Sequence, residues 1–373
     1  MVFLRELFNH FVKMKHNRLK EILQKSFLEK EDIFMLLNTY GEEKELLFDY
    51  ASMVKNQNVG NKVHLRGLIE YSNICKKDCY YCGIRSSNHY FCRYEVTSQE
   101  IAEACTFAVQ NRLGSMVIQC GELQSDAFTS KILELIKIIK SRSNGKMRIT
   151  LSCGEQRPEV YQKWFDTGAE RYLLRIETSN EELYKKIHPD NQNHNYAKRI
   201  DALKALKEIG FQTGTGVMIG LPFQTNEDLA DDIIFMRDID IDMCGMGPFI
   251  EHENTPLYSY KQSLLPLQAR YQLGLKMIAV LRIVMKDINI ASTTALQAID
   301  PHGKRSGLEV GANVIMPNIT PVKYKSNYHL YKDKPGSGLS IEDELNYSVQ
   351  TIEKANCIVA YEEPGDSLRF INR

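Results

Sequence analysis

At 373 residues, with 43% hydrophobic and 25% charged side chains, the chain has the bulk of one large α/β barrel with extensions or of two ordinary domains. Its 47 basic residues balance 47 acidic ones, so no net field draws it to nucleic acid or to anionic lipid. No apolar run reaches the roughly 18 residues that a membrane span needs, and a cytoplasmic location is expected.

Residues 1–60 read as helical, with Leu19, Ile22, Leu23, Phe27, Leu36 and Leu37 available to pack, and are expected to cap the bottom of the fold. The first turns mix charge with apolar residues and lack a small-residue cleavage site, which suits an amphipathic helix better than a signal peptide. From residue 61 onward, apolar strand-like runs alternate with amphipathic segments. The runs fall at 63–70, 116–119, 147–152, 171–175, 212–219, 243–247, 288–293 and 314–316. Helical stretches fall at 98–111, 131–140, 159–166, 196–209, 226–238, 265–285 and 304–311. Eight strands with intervening helices predict a (β/α)8 barrel over 61–331. The remainder, 332–373, forms a C-terminal extension with a helix near 341–355 and a strand near 357–361, and carries no obvious chemistry.

Such barrels place their active sites where strands end. Here the strand ends carry the cysteine loop, Cys120-Gly121-Glu122, Ser152-Cys153-Gly154-Glu155, Arg175-Ile176-Glu177-Thr178, Gly247-Pro248-Phe249 and Thr293-Thr294-Ala295.

The nine cysteines are odd in number and too sparse for a disulfide scaffold. Cys75, Cys79 and Cys82 stand in C-x3-C-x2-C spacing directly after the first strand. Three thiolates on one loop can ligate three irons of a 4Fe–4S cubane and leave the fourth iron open. An open iron can chelate the amino and carboxylate groups of S-adenosylmethionine (SAM), as catalytic metals keep a free position. Zinc is the rival reading, with His89 or Cys92 as a nearby fourth ligand, although no second ligand pair appears elsewhere. Tyr81 is expected to cover the adenine edge, or else to be a packing aromatic. Cys92, Cys105, Cys120, Cys153, Cys244 and Cys357 read as small core residues. His188, His252 and His302 lack partner spacing and read as surface or turn residues.

C-x3-C-x-aromatic-C after a barrel strand resembles the radical SAM signature. Within that superfamily, from about Val63 to Tyr331, the chain resembles the HydE-type maturases of iron-iron hydrogenase, in the biotin synthase-like group. The resemblance is carried by VHLRGLIEYSNICKKDCYYCGIR, LSCGEQRPEVYQKW, AERYLLRIET, MCGMGPFIEHENTPL, ASTTA and GANVIMPNITP. It implies reductive cleavage of SAM to a 5′-deoxyadenosyl radical on the way to the di-iron subcluster of FeFe hydrogenase. Another enzyme of the group acting on a small amino acid, such as a methylornithine synthase, is the alternative.

By the same resemblance Glu122 lies beside the methionine amino group of SAM, Glu177 binds on the SAM side and Arg199 pairs with the carboxylate. Thr150, Ser152 and Met243 line the same cavity. Arg175, Thr293, Thr294, Ala295, Met316, Tyr328 and Tyr331 match the substrate pocket, where an iron–cysteine complex with carbon monoxide and cyanide is the implied substrate. Plainer readings stay open: Arg175 and Glu177 as a buried ion pair, the two threonines as core, and the two tyrosines as a packing stripe. A reductant such as ferredoxin or flavodoxin and sibling maturases are the implied partners. Some relatives carry three further cysteines past the last strand for an accessory cluster. Residues 332–338 here contain none, so one 4Fe–4S cluster is expected.

Overall fold

The computed structural model describes residues 17–373; the part of the expected N-terminal helix before residue 17 lies outside them. The sheet runs through eight parallel strands: β1 (Lys62–Ser72), β2 (Ser115–Cys120), β3 (Arg148–Ser152), β4 (Arg171–Leu173), β5 (Gln212–Thr215), β6 (Met243–Cys244), β7 (Asn289–Ile290) and β8 (Val314–Ile315). Each pairs in parallel with the next, from Gly67 opposite Met116 to Met243 opposite Asn289. The circle closes because β8 pairs with β1, His64 opposite Val314, and because Ala291 bridges to Val314. The Ser292 N–H donates to the Val314 carbonyl at 2.9 Å across that last seam. The fold is a (β/α)8 barrel. Short pairs at Met218–Ile219 and Gly247–Pro248 continue β5 and β6 upward.

β1 is buried along nearly its whole length, as a strand covered on both faces must be. Helices wrap the outside: α3 (Ser98–Gln110), α4 (Asp126–Arg142), α5 (Pro158–Thr167), α6 (Glu181–Ile187), α7 (Tyr196–Ile209), α8 (Asn226–Asp238) and α9 (Leu267–Val284), after the N-terminal α1 (Lys30–Leu37) and α2 (Glu42–Asn58). Their starts are written locally. Thr97 and Glu100 form a capping box before α3, as Thr225 and Asp228 do before α8. Two short helices had no readable periodicity: α6, and α10 (Thr294–Ile299) after β7. Then come α11 (Gly303–Glu309), α12 (Val322–Lys325), α13 (Ile341–Lys354), β9 (Ile358–Ala360) and α14 (Leu368–Ile371).

The bottom of the barrel is closed differently from expectation. The N-terminal helices lie along its flank: Lys30 pairs with Asp231 of α8 at 2.7 Å, and the Lys276 ammonium of α9 bonds the Leu37 carbonyl. Leu19, Ile22, Leu23, Leu36 and Leu37 are buried, whereas Phe27 is exposed under the Arg237 guanidinium. The plug comes from the other end of the chain. Arg171 of β4 bonds Asp366 at 2.6 Å, and Gln212 of β5 bonds the same carboxylate at 2.6 Å. Arg66 of β1 and Asn289 of β7 both donate to the Gly365 carbonyl, at 3.1 and 2.9 Å. The extension with no obvious chemistry of its own therefore seals the barrel.

Candidate active site

β1 delivers the cysteine loop to the top of the barrel. Residues 73–79 of that loop are irregular and are shaped by what surrounds them. Gly121, at the end of β2, admits the loop: a Cβ there would sit 2.2 Å from the Ile74 carbonyl and 2.8 Å from the Cys75 Cβ. The Glu122 N–H then donates to the Cys75 sulfur at 3.3 Å. Cys75, Cys79 and Cys82 are all free thiols. Burial pushes each of them up, Cys82 to about 12, so cations must be present for them to act as thiolates. Among the described residues no three His, Cys, Asp or Glu side chains converge as a single metal ion would require. A four-iron cluster makes another demand, one thiolate for each of three separate irons.

Beside the loop is a cavity lined by Lys77, Cys79, Tyr81, Glu122, Arg175, Ile176, Glu177, Tyr184, His188, His194 and Arg199. Its charges form a closed set. Arg199 NH1 contacts Glu122 at 2.9 Å and Glu155 at 3.0 Å, while the Lys77 ammonium contacts the other oxygens of the same carboxylates at 3.0 and 3.1 Å. Burial pulls the Arg199 guanidinium down, but the two carboxylates more than offset it and hold it charged. Gly154 (φ +73) makes room for this: a Cβ there would lie 2.0 Å from Glu122 Cγ. Glu177 has φ +68, a strained backbone for a side-chain-bearing residue. The β5 continuation holds it there, with Glu177 N–H on the Gly216 carbonyl at 3.1 Å and Met218 N–H on its own carbonyl at 3.0 Å. Burial pushes the Glu177 carboxyl up, against Arg175 and Arg199. Arg175 contacts it at 2.9 Å, so the ion pair is real and also faces the cavity.

These residues fit a cluster with SAM. Glu122 Oε1 and Glu177 Oε2 are buried, each with one ion contact, to Lys77 at 3.0 Å and to Arg175 at 2.9 Å, and no further partner among the described residues. Each carboxylate oxygen keeps acceptor capacity for an added N–H donor.

Other expected residues lie elsewhere. Thr150 and Met243 sit one layer down with Met316, around an axial cavity that also shows Arg66, Leu173 and Asn289. They are thus apart from Glu122 and Arg199. Arg66 donates to the Met243 sulfur at 3.0 Å, and Thr150 Oγ1 is buried without a partner among the described residues. Ser152 is half-buried at the end of β3, beside Gln119. Thr293 precedes α10 and donates to the Met246 carbonyl at 3.2 Å. Thr294 and Ala295 open that helix, and Gly247 abuts Thr293 and Ala295. Tyr328 is fully buried with its hydroxyl 3.3 Å from Gln119 Nε2. Tyr331 is half-buried nearby. The Lys334 ammonium enters this region from the cysteine-free stretch, over the Tyr328 ring and ion-paired to buried Glu70.

Sequence reasoning missed Lys77, Glu155, Tyr184 and His194. Of the histidines read as surface or turn residues, His188 and His252 lie in irregular segments but are buried, and His302 is exposed. The strand-end segment Ser152-Cys153-Gly154-Glu155 was a usable signal for Glu155. Of the remaining cysteines, Cys92 is exposed and Cys357 half-buried, and the other four are core.

Residues 69–236 match the Radical SAM superfamily. The FeFe hydrogenase maturase subunit HydE of Thermotoga maritima is 44% identical over 290 residues, 78% of this chain and 80% of that protein. The chain belongs to the HydE family of radical SAM proteins. Members of the radical SAM superfamily bind a 4Fe–4S cluster and SAM, and this chain is an enzyme of that type. The 3-methylornithine synthase of Methanosarcina acetivorans is similar at 26% identity over 317 residues, 83% and 85% of the two chains. Two solved structures share the radical SAM barrel. A methylornithine synthase superposes with a TM-score of 0.77 at 23% identity, covering 92% of this chain and 97% of that one. The maturase HydG from Carboxydothermus hydrogenoformans gives 0.78 at 18%, covering 96% and 82%. No helix among the described residues is long and apolar enough to cross a membrane.

Proposed function

We propose that this enzyme cleaves SAM reductively during maturation of an FeFe hydrogenase, in a reducing cytoplasm. The observation that carries the reading is the 44% identity to a HydE maturase along four-fifths of that protein. When bound, the cluster and SAM supply a one-electron scission of the sulfonium that releases a 5′-deoxyadenosyl radical. Cys75, Cys79 and Cys82 would hold the cluster.

The chain's own residues do the rest. Glu122 would accept from an N–H of the iron-binding α-amino group of SAM, Arg199 would face its carboxylate, and Tyr81 would pack beside the adenosyl group. Glu177 and Arg175 line that same cavity, and Thr150, Met243 and Met316, around the axial cavity, would receive a small substrate. The apolar wall and the C-terminal plug keep water out, which protects a radical from quenching. The substrate we favour is an iron–cysteine complex bearing carbon monoxide and cyanide, with a ferredoxin- or flavodoxin-type reductant and sibling maturases as partners. The chain divides into an N-terminal extension (1–60), the barrel (61–331) and a C-terminal extension (332–373).

Anaerobic reconstitution with dithionite and SAM tests the first half: 5′-deoxyadenosine should be released. The second half is tested by offering the iron–cysteine complex and lysine side by side. Adduct or turnover on lysine alone would move the enzyme to the amino-acid branch.

A further inference from the structure

The segment from the end of α6 to the start of α7 lies directly against the cysteine loop. Lys77 donates its ammonium to the Asn193 carbonyl. The Asp78 N–H donates to His194 Nε2 at 2.9 Å. The Tyr80 N–H donates to the Ile187 carbonyl at 3.0 Å. The Tyr81 hydroxyl reaches His188 Nε2 at 3.1 Å, and also lies within hydrogen-bonding reach of the Cys79 thiol. Residues 187–194 thus engage the loop on both sides of Cys79, at nearly every non-ligand position between Cys75 and Cys82. The loop's internal support is separate: Asp78 accepts from Arg85 and Ser87, and the Ser86 N–H donates to the Lys77 carbonyl.

The two histidines share one tautomer, dictated by their partners. His188 Nδ1 lies 2.9 Å from the Tyr184 carbonyl, and His194 Nδ1 lies 2.8 Å from Asn191 Oδ1. Each Nδ1 must therefore carry the proton and each Nε2 must accept. Burial favours the same neutral form, pushing His188 to about 3 and His194 to about 4. Ring packing fixes the imidazole planes: His188 stacks on Tyr184 at 4.0 Å, meets Tyr81 edge-on at 5.3 Å, and lies 5.5 Å from His194.

We propose that His188 and His194 are positioning residues that, as hydrogen-bond acceptors, fix the Asp78 main chain and the Tyr81 ring, and so set the spacing of the three cluster thiols. Their effect runs through the loop, because neither imidazole ligates or reacts. A satisfied core histidine would explain burial. It would not explain two acceptors aimed at one irregular loop from one segment, 116 residues away for the Asp78–His194 bond. The inference rests on the cluster reading above but not on the identity of the substrate.

The test uses the full chain, reconstituted anaerobically with iron and sulfide. His194→Leu and His188→Leu remove the acceptors, whereas glutamine at either position restores one near Nε2. The readouts are the rate at which a chelator bleaches the cluster and the EPR spectrum of the reduced cluster. Unfolding of the iron-free chain serves as the control. The leucine variants leave a buried donor without its acceptor and should lose the cluster about tenfold faster, with an altered EPR signal. The glutamine variants should stay within about twofold of the parent. Tyr81→Phe removes the His188 contact together with the one to Cys79, so it should lose the cluster at least as fast as His188→Leu, and adding His188→Leu to Tyr81→Phe should change nothing further. Should a leucine variant not fold, the glutamine variants and Tyr81→Phe still carry the comparison. Leucine variants that hold the cluster as long as the parent, or glutamine and leucine variants that lose it alike, would overturn the inference. A parent chain that takes up no cluster would overturn both this and the cluster reading. A cluster that forms but cleaves no SAM would remove only the proposed reaction.

Discussion

The two ends of the barrel both bury charge, but they satisfy it in different currencies of bonding. At the bottom, Arg66 and Arg171 are tied to the main-chain carbonyls of Gly365 and Pro364 and to the single carboxylate of Asp366. At the top, Lys77 and Arg199 each hold one main-chain carbonyl, of Asn193 and Arg175, but also share the two carboxylates of Glu122 and Glu155. The bottom arginines have a single carboxylate between them and keep buried N–H groups without a partner among the described residues. Paired side chains can exchange one partner for a ligand of like charge. The carboxylate-rich upper end is therefore suited to binding, and the lower end, tied to the chain's own C-terminal segment, to closure.

The comparison can be broken from either end, and the largest effect belongs to the top. Cys79→Ala should abolish both the cluster's visible absorbance and 5′-deoxyadenosine release; cleavage that survives would remove Cys79 from the ligand set. Asp366→Ala removes the carboxylate that Arg171 shares with Gln212, leaving Arg171 only the Pro364 carbonyl, and should cost about 3 kcal/mol of stability by urea unfolding. Its affinity for SAM should stay unchanged in the folded fraction. A variant with parental stability and weakened SAM binding would erase the division between the ends. Glu122→Gln should act the other way, weakening SAM about 10- to 100-fold in binding titrations, as expected for losing a charged hydrogen bond. Iron analysis should give about four atoms per chain if only the three-cysteine site is filled, and about eight would demand a second cluster.

The smallest effect tests a buried charge that belongs to neither end. Asp232 of α8 accepts from Ser179 at 2.6 and 2.7 Å, yet burial raises it to about 7. Its folded form prefers the proton. Its contribution to stability is thus whole below its ordinary carboxylate range and is lost as pH rises through about 7. Asp232→Asn should flatten the fall in urea midpoint between acid and neutral pH; an unchanged slope would exclude Asp232 as its source.

What could be read in the sequence divides along physical lines. β1 to β8 were legible because doubly covered strands leave continuous apolar runs, and the cysteine loop because its spacing is local. Glu122 and Glu177 were read from strand-end placement and family resemblance, and Arg199, on α7, from the resemblance alone. His188 and His194 were not legible, since their partners lie more than a hundred residues away and a lone histidine carries no periodic signal. Thr150 and Met243 came from the resemblance alone; the structure places both around the axial cavity, a depth along the barrel axis that no strand pattern encodes. The plug was missed for the same reason as the histidines: Asp366 becomes meaningful only beside Arg171, 195 residues earlier.

That distance has a consequence for how the chain is made. β1 pairs with β2 soon after both are synthesised, but it must also accept β8 on its other edge and β9 beside its first residues. Until residues 314–366 have left the ribosome, one edge of β1 is unpaired and the guanidiniums of Arg66 and Arg171 have no seat. A nascent chain in that state exposes a strand edge to its neighbours. Closure of the barrel is a late step that joins segments far apart in sequence, so its folding should be slow for its size. The same seal that keeps water from the finished active site leaves the unfinished protein most in need of a chaperone.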